Sequence, residues 1–341
     1  MIYKSLLKPI IFQKDAEEAH DLALKISSAT NTSPLLQELA SILYGGGKNV
    51  EKQFWGLNFR NPIGLAAGFD KNGTTPKAME ALGFGFVEIG SITAQSSHGN
   101  PKPRAFRLPE DKSLINRMGL NNEGADKIVE RLKHHNLSIP LGINIAKTND
   151  SSIHGNAAIS DYVYSYEKAR TVADYVTINI SCPNTGEGKT FEDPDILKSL
   201  LDEINPSGNS VPTLVKFSVD TEIKALRKLV EICESFNIDG YVATNTSSQR
   251  EYLNTKSSIL SSIGNGGLSG SAISVKSDEV VSNLYAMLKG SKPIIGVGGV
   301  DSIESAQRKV DAGADLLQIY TGLVYEGPGL IRKLKNGVNF R

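Results

Sequence analysis

From Asn61 onward the chain alternates short β-rich apolar runs with amphipathic stretches of helical period, and the alternation occurs eight times. The runs are PIGLAAG from Pro62, FVEIGSIT from Phe86, PLGINIA from Pro140, YVTINIS from Tyr175, PTLVKFS from Pro212, GYVATNT from Gly240, PIIGVGG from Pro293 and LLQIYTG from Leu316. Segments such as TEIKALRKLVEICESF and SIESAQRKVDAGA lie between them and end near Gly, Asn or Pro, where helices stop. Repeated βα units of this kind bury strands on both faces, so the fold class expected is α/β, a closed (β/α)8 TIM barrel. An open doubly wound sheet is the alternative. GVGG after the seventh run is its only support, since a full GxGxxG is absent.

Barrels of this class gather their chemistry at the carboxyl ends of the strands. Here those ends carry Ala67, Gly68 and Lys71; Ser91; Asn144; Asn179 and Cys182; Lys216; Thr244, Asn245 and Thr246; Gly298 and Gly299; and Tyr320 and Thr321. Each residue alone is compatible with an ordinary turn. Two lysines and three amides converging on one mouth describe a site. Gly270 in GGLSG, Gly298, Gly299 and Thr321 fall in late loops that offer backbone amides to a phosphate. Asn144, Asn179, Lys216 and Thr244 suit a polar planar ring, and a lysine beside the N1 and O2 edge of a flavin stabilises the negative charge of reduction.

Composition removes several function classes. Lys plus Arg equals Asp plus Glu at 37 each, so there is no basic field for nucleic acid. Cys182 and Cys233 are the two cysteines, which suits a reducing compartment, and Cys233 in LVEICESF has the spacing of a core residue. The histidines at 20, 98, 134, 135 and 154 have no compact ligand spacing, and no metal site is expected. His134 and His135, near a helix end, are read as solvated. No apolar run reaches the roughly 20 residues needed to span a bilayer.

The motifs LAAGFDKNG, EIGSIT, GNPKPRAFRLPED, INRMGLNN, INISCPNT, VATNT, GGLSG, IIGVGGVDS and QIYTG, in this order, resemble the dihydroorotate dehydrogenases, specifically the membrane-associated, quinone-dependent class 2. The resemblance spans essentially the whole chain. It implies FMN in contact with Ala67, Gly68, Ser91, Asn144, Asn179, Lys216, Thr244, Gly270, Gly299, Tyr320 and Thr321. It also implies dihydroorotate, or the product orotate, held by Lys71, Asn116, Arg117, Met118, Gly119, Leu120, Asn179, Asn184, Asn245 and Thr246. The chemistry agrees, because a planar anion needs a cation for its carboxylate and amides for its ring edge.

Two departures from the class 2 pattern stand out. Oxidation at C5 and C6 needs a base opposite the flavin, and the residue in that place is Cys182, as in soluble class 1 enzymes, where class 2 carries serine. Ser181 is the alternative, one register step away on an extended strand. A thiol ionises near pH 8.5, far more readily than a serine hydroxyl. The loop TGEGKTFED is read as a flap hinged on Gly186 and Gly188, or else as a solvated connector, and Lys189 stands where class 2 usually has arginine.

Residues 1–43 are expected as an amino-terminal helical extension and 44–341 as the FMN-binding barrel. IYKSLLKPIIF, DAEEAHDLALKISSA and SPLLQELASILY read as helices, with Asp15 as the N-cap of the second. Their apolar residues interleave with Lys4, Lys8 and Lys14, which fits a helix lying in a membrane interface and equally one packed on the barrel. The resemblance gives the extension a purpose, a lipophilic tunnel for a membrane quinone, with His20, Arg107 and Tyr320 at its polar end. Pairing with Glu110 or Asp111 is the alternative for Arg107. A peripheral protein on the cytoplasmic face of the cell membrane, and a monomer, follow by the same resemblance. Use of fumarate or another soluble acceptor is the second functional reading, suggested by Cys182. A silent barrel binding a phosphorylated ligand is the third.

Overall fold

Strand by strand, side chains alternate between the inside of a closed parallel barrel and the helix layer around it. The computed structural model describes residues 3–181, 191–208 and 210–340. Its eight barrel strands are Ile63–Leu65, Phe86–Ile92, Leu141–Ile145, Tyr175–Asn179, Thr213–Phe217, Gly240–Ala243, Ile294–Val297 and Leu316–Ile319, one from each apolar run. Each pairs in parallel with the next, and Leu317 opposite Ile63 closes the ring. The open-sheet alternative is thereby excluded.

The period of two explains the division of labour. Val87, Ile89, Ile143, Val176, Ile178, Val215 and Leu317 point outward into the main core against the helices. Their neighbours Phe86, Tyr175, Leu214, Val242, Ile295 and Leu316 point inward and fill the barrel floor. Gly64 and Gly142 lie where a Cβ would come within 2.4 Å of the Phe86 ring and 2.1 Å of the Tyr175 ring, so only glycine leaves those rings room. Two steps further along the same strands the inward residues become Glu88, Thr177, Lys216 and Gln318. The barrel interior therefore runs from aromatic at its floor to polar at its mouth.

A β-hairpin, Lys52–Phe54 with Leu57–Phe59, plugs the floor through Phe54, Trp55 and Phe59. An antiparallel sheet of Ala105–Leu108, Ser113–Asn116 and Gly267–Gly270 stands over the mouth. Neither was expected from the sequence, and GGLSG forms a strand of that sheet where a loop was expected. Helix Ile223–Ser235 buries Cys233 completely. Beyond helix Ala125–Leu132, His134 is exposed as expected, whereas His135 turns inward with Nε2 3.3 Å from the Val172 carbonyl.

The amino-terminal segments form helices Lys8–Ile11, Ala16–Thr32 and Pro34–Tyr44, following a π-helical turn Tyr3–Leu7. Asp15 caps the long helix by accepting the Glu17 amide at 2.8 Å, and Ser33 caps the next, which has Pro34 in its first turn. Only Glu17 and Ala19 are buried in Ala16–Thr32, and no residue is buried in Pro34–Tyr44. These helices lie beside Pro76–Ala81 at the mouth and leave Leu6, Ile10, Ile26, Leu35, Leu39, Ile42 and Leu43 exposed. No helix of the described residues is long and apolar enough to cross a membrane.

Candidate functional site

Polar groups at the mouth are fixed by a carboxylate at the barrel's middle layer. Glu88 accepts Asn144 Nδ2 at 2.9 Å on one oxygen, and Gln318 Nε2 at 2.8 Å, Tyr175 OH at 3.2 Å and Thr177 Oγ1 at 3.2 Å on the other. With its amide nitrogen committed to Glu88, Asn144 accepts the Ser91 hydroxyl on Oδ1. Ser91 Oγ in turn accepts Asn179 Nδ2 at 3.3 Å. Asn179 Oδ1 then accepts Ser181 Oγ at 2.9 Å, and Asn245 Nδ2 reaches Ser181 Oγ at 3.0 Å. One buried carboxylate thus orients a chain of amides and hydroxyls from the barrel's middle layer to its rim.

Lys216, 6% exposed, shares this interior. Burial lowers its pKa, against the opposing pull of the Glu88 charge. Lys71 stands at the end of the first strand, and burial, reinforced by the nearby Arg104 cation, depresses it to about 8. Among the described residues neither ammonium has a hydrogen-bond partner, and both line the same cavity. Two cations with unspent donors facing an internal space are a receptor for anionic, hydrogen-bond-accepting ligands. Gly270, Gly298 and Gly299 have φ of 101°, 120° and 74°, and a Cβ on Gly299 would come within 2.4 Å of the Ser274 side chain. With Thr321, whose Oγ1 lies 2.9 Å from Ser269 Oγ, they form a cradle with room for a phosphate. These residues fit FMN.

The cavity is about 610 Å³ and continuous. At one end it is walled by Ala67, Gly68, Ser91, Asn144, Asn179, Lys216, Thr244, Asn245, Thr246, Gly270, Gly299, Tyr320 and Thr321, together with Lys71, Asn116, Met118, Gly119 and Leu120. At the other, Phe12, Leu22, Ala23, Ile26, Leu39 and Leu43 of the amino-terminal helices form apolar walls. His20, Arg107 and Tyr320 lie between the two. The His20 ring meets Phe69 edge-on at 4.9 Å and lies parallel to Tyr320 at 6.3 Å. Burial lowers its pKa to about 3, so the imidazole is neutral, and Nε2 is buried without a partner among the described residues. Burial pushes Tyr320 up to about 12.

Arg107 pairs with neither Glu110 nor Asp111. It donates to the carbonyls of Ile11, at 3.3 Å, and Lys14, and its guanidinium lies 4.6 Å over the Phe12 ring. Asp111 is occupied by Asn254 and Thr255. Arg117 is not brought into the cavity: its guanidinium binds the Ile263, Asn265 and Pro103 carbonyls and stacks on Phe106. Cys182 and Asn184, with Gly186, Gly188 and Lys189 of the flap, lie outside the described residues. Sequence reading missed Glu88 and Gln318, although a lone polar residue inside an apolar strand run is a visible signal. It also missed the buried pair Glu17 and Arg104, which no local pattern announces.

Comparison with known proteins is consistent along the whole chain. The family profile "Dihydroorotate dehydrogenase" matches residues 49–341. A dihydroorotate dehydrogenase (quinone) from Natronomonas pharaonis is 42% identical over 335 residues, covering 98% of this chain and 93% of that one. The protein of the same description from Pasteurella multocida is 40% identical over 338 residues, covering 97% and 98%. The crystal structure of DHODH from Eimeria tenella in complex with ferulenol superposes with a TM-score of 0.81 at 31% identity, covering 94% of this chain and 90% of that one.

Proposed function

The chain belongs to the dihydroorotate dehydrogenase family, in its quinone-dependent class, and from that premise we propose how its residues divide the reaction. The enzyme oxidises dihydroorotate to orotate in pyrimidine biosynthesis, with a quinone as electron acceptor. The observation that carries the proposal is the single cavity running from polar strand ends to apolar helix walls.

Lys71 takes the substrate carboxylate, as a partly buried cation with free donors is suited to do. Asn116, Asn179, Asn184, Asn245 and Thr246 read the edge of the pyrimidine, with Met118, Gly119 and Leu120 against it. Cys182, as thiolate, removes the C5 proton, and Ser181 is spoken for by Asn179 and Asn245, which supports the thiol over the hydroxyl as base. FMN, when bound, supplies the acceptor for the hydride leaving C6 and the two electrons later passed to the quinone. Lys216 places positive charge beside the ring, Asn144 and Asn179 hold it through amides whose direction Glu88 sets, and the glycine cradle with Thr321 takes the phosphate.

The apolar wall admits a quinone and excludes charged oxidants, while neutral His20, Tyr320 and Arg107 offer polar contacts where it meets the barrel. Exposed Leu6, Ile10, Ile26, Leu35, Leu39 and Ile42, with Lys4, Lys8 and Lys14 nearby, dock this end on a membrane surface. A soluble acceptor is favoured only by the identity of Cys182; the base serves the substrate half-reaction, so the cysteine leaves the acceptor open. Anaerobic mixing of purified protein with dihydroorotate should bleach the flavin rapidly, and Cys182→Ala should slow bleaching by about 10²–10⁴-fold. Undiminished bleaching in Cys182→Ala would remove the cysteine from its role, and protein that binds flavin but never bleaches would remove the substrate.

A further inference from the structure

Helix Ala16–Thr32 lies across the mouth with two buried residues, and the first of them is a carboxylate. Glu17 is 4% exposed and Arg104, its partner, 6%. Arg104 Nη2 donates to Glu17 Oε1 at 2.7 Å, and Nε is shared at 3.1 Å between both carboxylate oxygens. Lys102 adds a contact at 3.2 Å. The remaining Arg104 nitrogen, Nη1, donates to the carbonyls of His98 at 2.6 Å, Asn100 at 3.0 Å and Met118 at 3.4 Å, and the Arg104 carbonyl receives the Arg117 amide at 2.8 Å. Arg104 is thus the clamp of the 98–118 segment, which carries Asn116 and Met118 into the cavity.

We propose that Glu17, although carried by the extension that serves the acceptor, is a positioning residue for the substrate: it holds Arg104 in its clamp and balances the cations around Lys71. The inference rests on the assignment of Lys71 and Asn116 to dihydroorotate.

Charge accounting around Lys71 singles out Glu17. The charged and titratable groups facing Lys71 are Arg104, Glu17, Asp70 and Asp21, with His20 close by. His20 is neutral. Asp70 is committed to its own turn, accepting the amides of Asn72, Thr74 and Thr75 and both threonine hydroxyls. Asp21 is exposed, so water screens it. Glu17 acts on Lys71 more strongly than Asp70 or Asp21 and, unlike either, is also paired directly with Arg104 and Lys102. Removing one partner of such a pair leaves the other charge uncompensated, at a cost larger than the pair's net worth. Without Glu17 the Arg104 charge would weigh more heavily on Lys71, which would lose its proton at lower pH and bind the substrate carboxylate less well.

The test uses flavin-loaded, full-length enzyme and two readouts, orotate Kd by calorimetry from pH 6 to 9 and the quinone KM. Glu17→Gln is expected to raise the orotate Kd about tenfold at pH 7 and to move the fall in affinity to lower pH. The quinone KM should stay within about twofold, because a folded variant keeps its apolar wall. Glu17→Asp, which keeps the charge but withdraws it by one methylene, should give a smaller rise of about threefold and a wild-type pH profile. If Glu17→Gln yields no flavin-loaded protein, Glu17→Asp decides alone, and an unchanged Kd there overturns the proposal. So does a wild-type Kd and profile in Glu17→Gln, or orotate and quinone constants that worsen together with no displacement of the profile, which is loss of helix docking only. Wild-type enzyme that fails to bind orotate contradicts the functional reading itself, a result distinct from all of these.

Discussion

The barrel mouth and the amino-terminal helices both use apolar residues at regular spacing, and they use them in opposite directions. In the barrel strand Tyr175–Asn179 every residue is buried, and the polar ones are held by a directed chain of hydrogen bonds. In helix Pro34–Tyr44 none is buried, and Leu35 and Ile42 are 73% and 71% exposed. The contrast teaches that the barrel mouth fixes polar groups and two cations around an internal cavity, as the proposed anion site requires, whereas the extension leaves large apolar side chains exposed. Conspicuous among the polar contacts bridging them is the Glu17–Arg104 pair.

Changes confined to one region should leave the other intact. The largest expected effect after loss of the base is at Lys71. Lys71→Met should weaken orotate binding by about 10–100-fold, the worth of a hydrogen bond to a charged group, with quinone KM unchanged; a loss below about threefold would remove Lys71 from the carboxylate. In the wild type, orotate affinity should fall as pH rises through about 8, where Lys71 loses its proton. A flat profile from pH 7 to 9 would contradict that assignment.

On the other side, Leu39→Ser with Ile42→Ser should cut binding to lipid vesicles about tenfold or more, given about 1.5–3 kcal/mol for each large apolar side chain buried. Since both residues are exposed in the protein, its unfolding free energy should change by no more than about 0.5 kcal/mol each. Equal loss of stability and membrane binding would mean that these side chains pack on the barrel after all. A smaller effect follows from linkage. Lys71 is depressed in the fold below its unfolded value of about 10.4, so the folded state binds fewer protons between these values. Its contribution to stability is absent below pH about 8 and is gained as pH rises from there through the unfolded value. Lys71→Met should remove that rise from the pH dependence of denaturant unfolding.

Much of the barrel was legible because its strands obey a period of two and its helices one of 3.6, patterns that survive without tertiary information. All eight runs beginning between Pro62 and Leu316 became barrel strands. The hairpin at Lys52–Phe59 and the antiparallel sheet over the mouth were not legible, since their strands stand outside the repeating βα alternation and the sheet pairs Asn116 with Gly267 across a long separation. Within the site, strand-end residues such as Asn144, Asn179 and Lys216 could be read from position alone. Glu88 offered a signal that went unused. Glu17 and Arg104 offered none, because an acidic residue in a helix's first turn is ordinary until the fold brings an arginine 87 residues away onto it.

The central claim is that two half-reactions share one cavity and enter it from chemically different ends. Ala23 lines the apolar end, on the helix that also carries Glu17 and His20. The most direct test is double-mixing stopped flow on Ala23→Trp, with dihydroorotate first and a quinone second. Bleaching at the wild-type rate followed by strongly slowed reoxidation is the result expected. Reoxidation at the wild-type rate in a folded, flavin-loaded variant would contradict the claim that the quinone arrives through the helices.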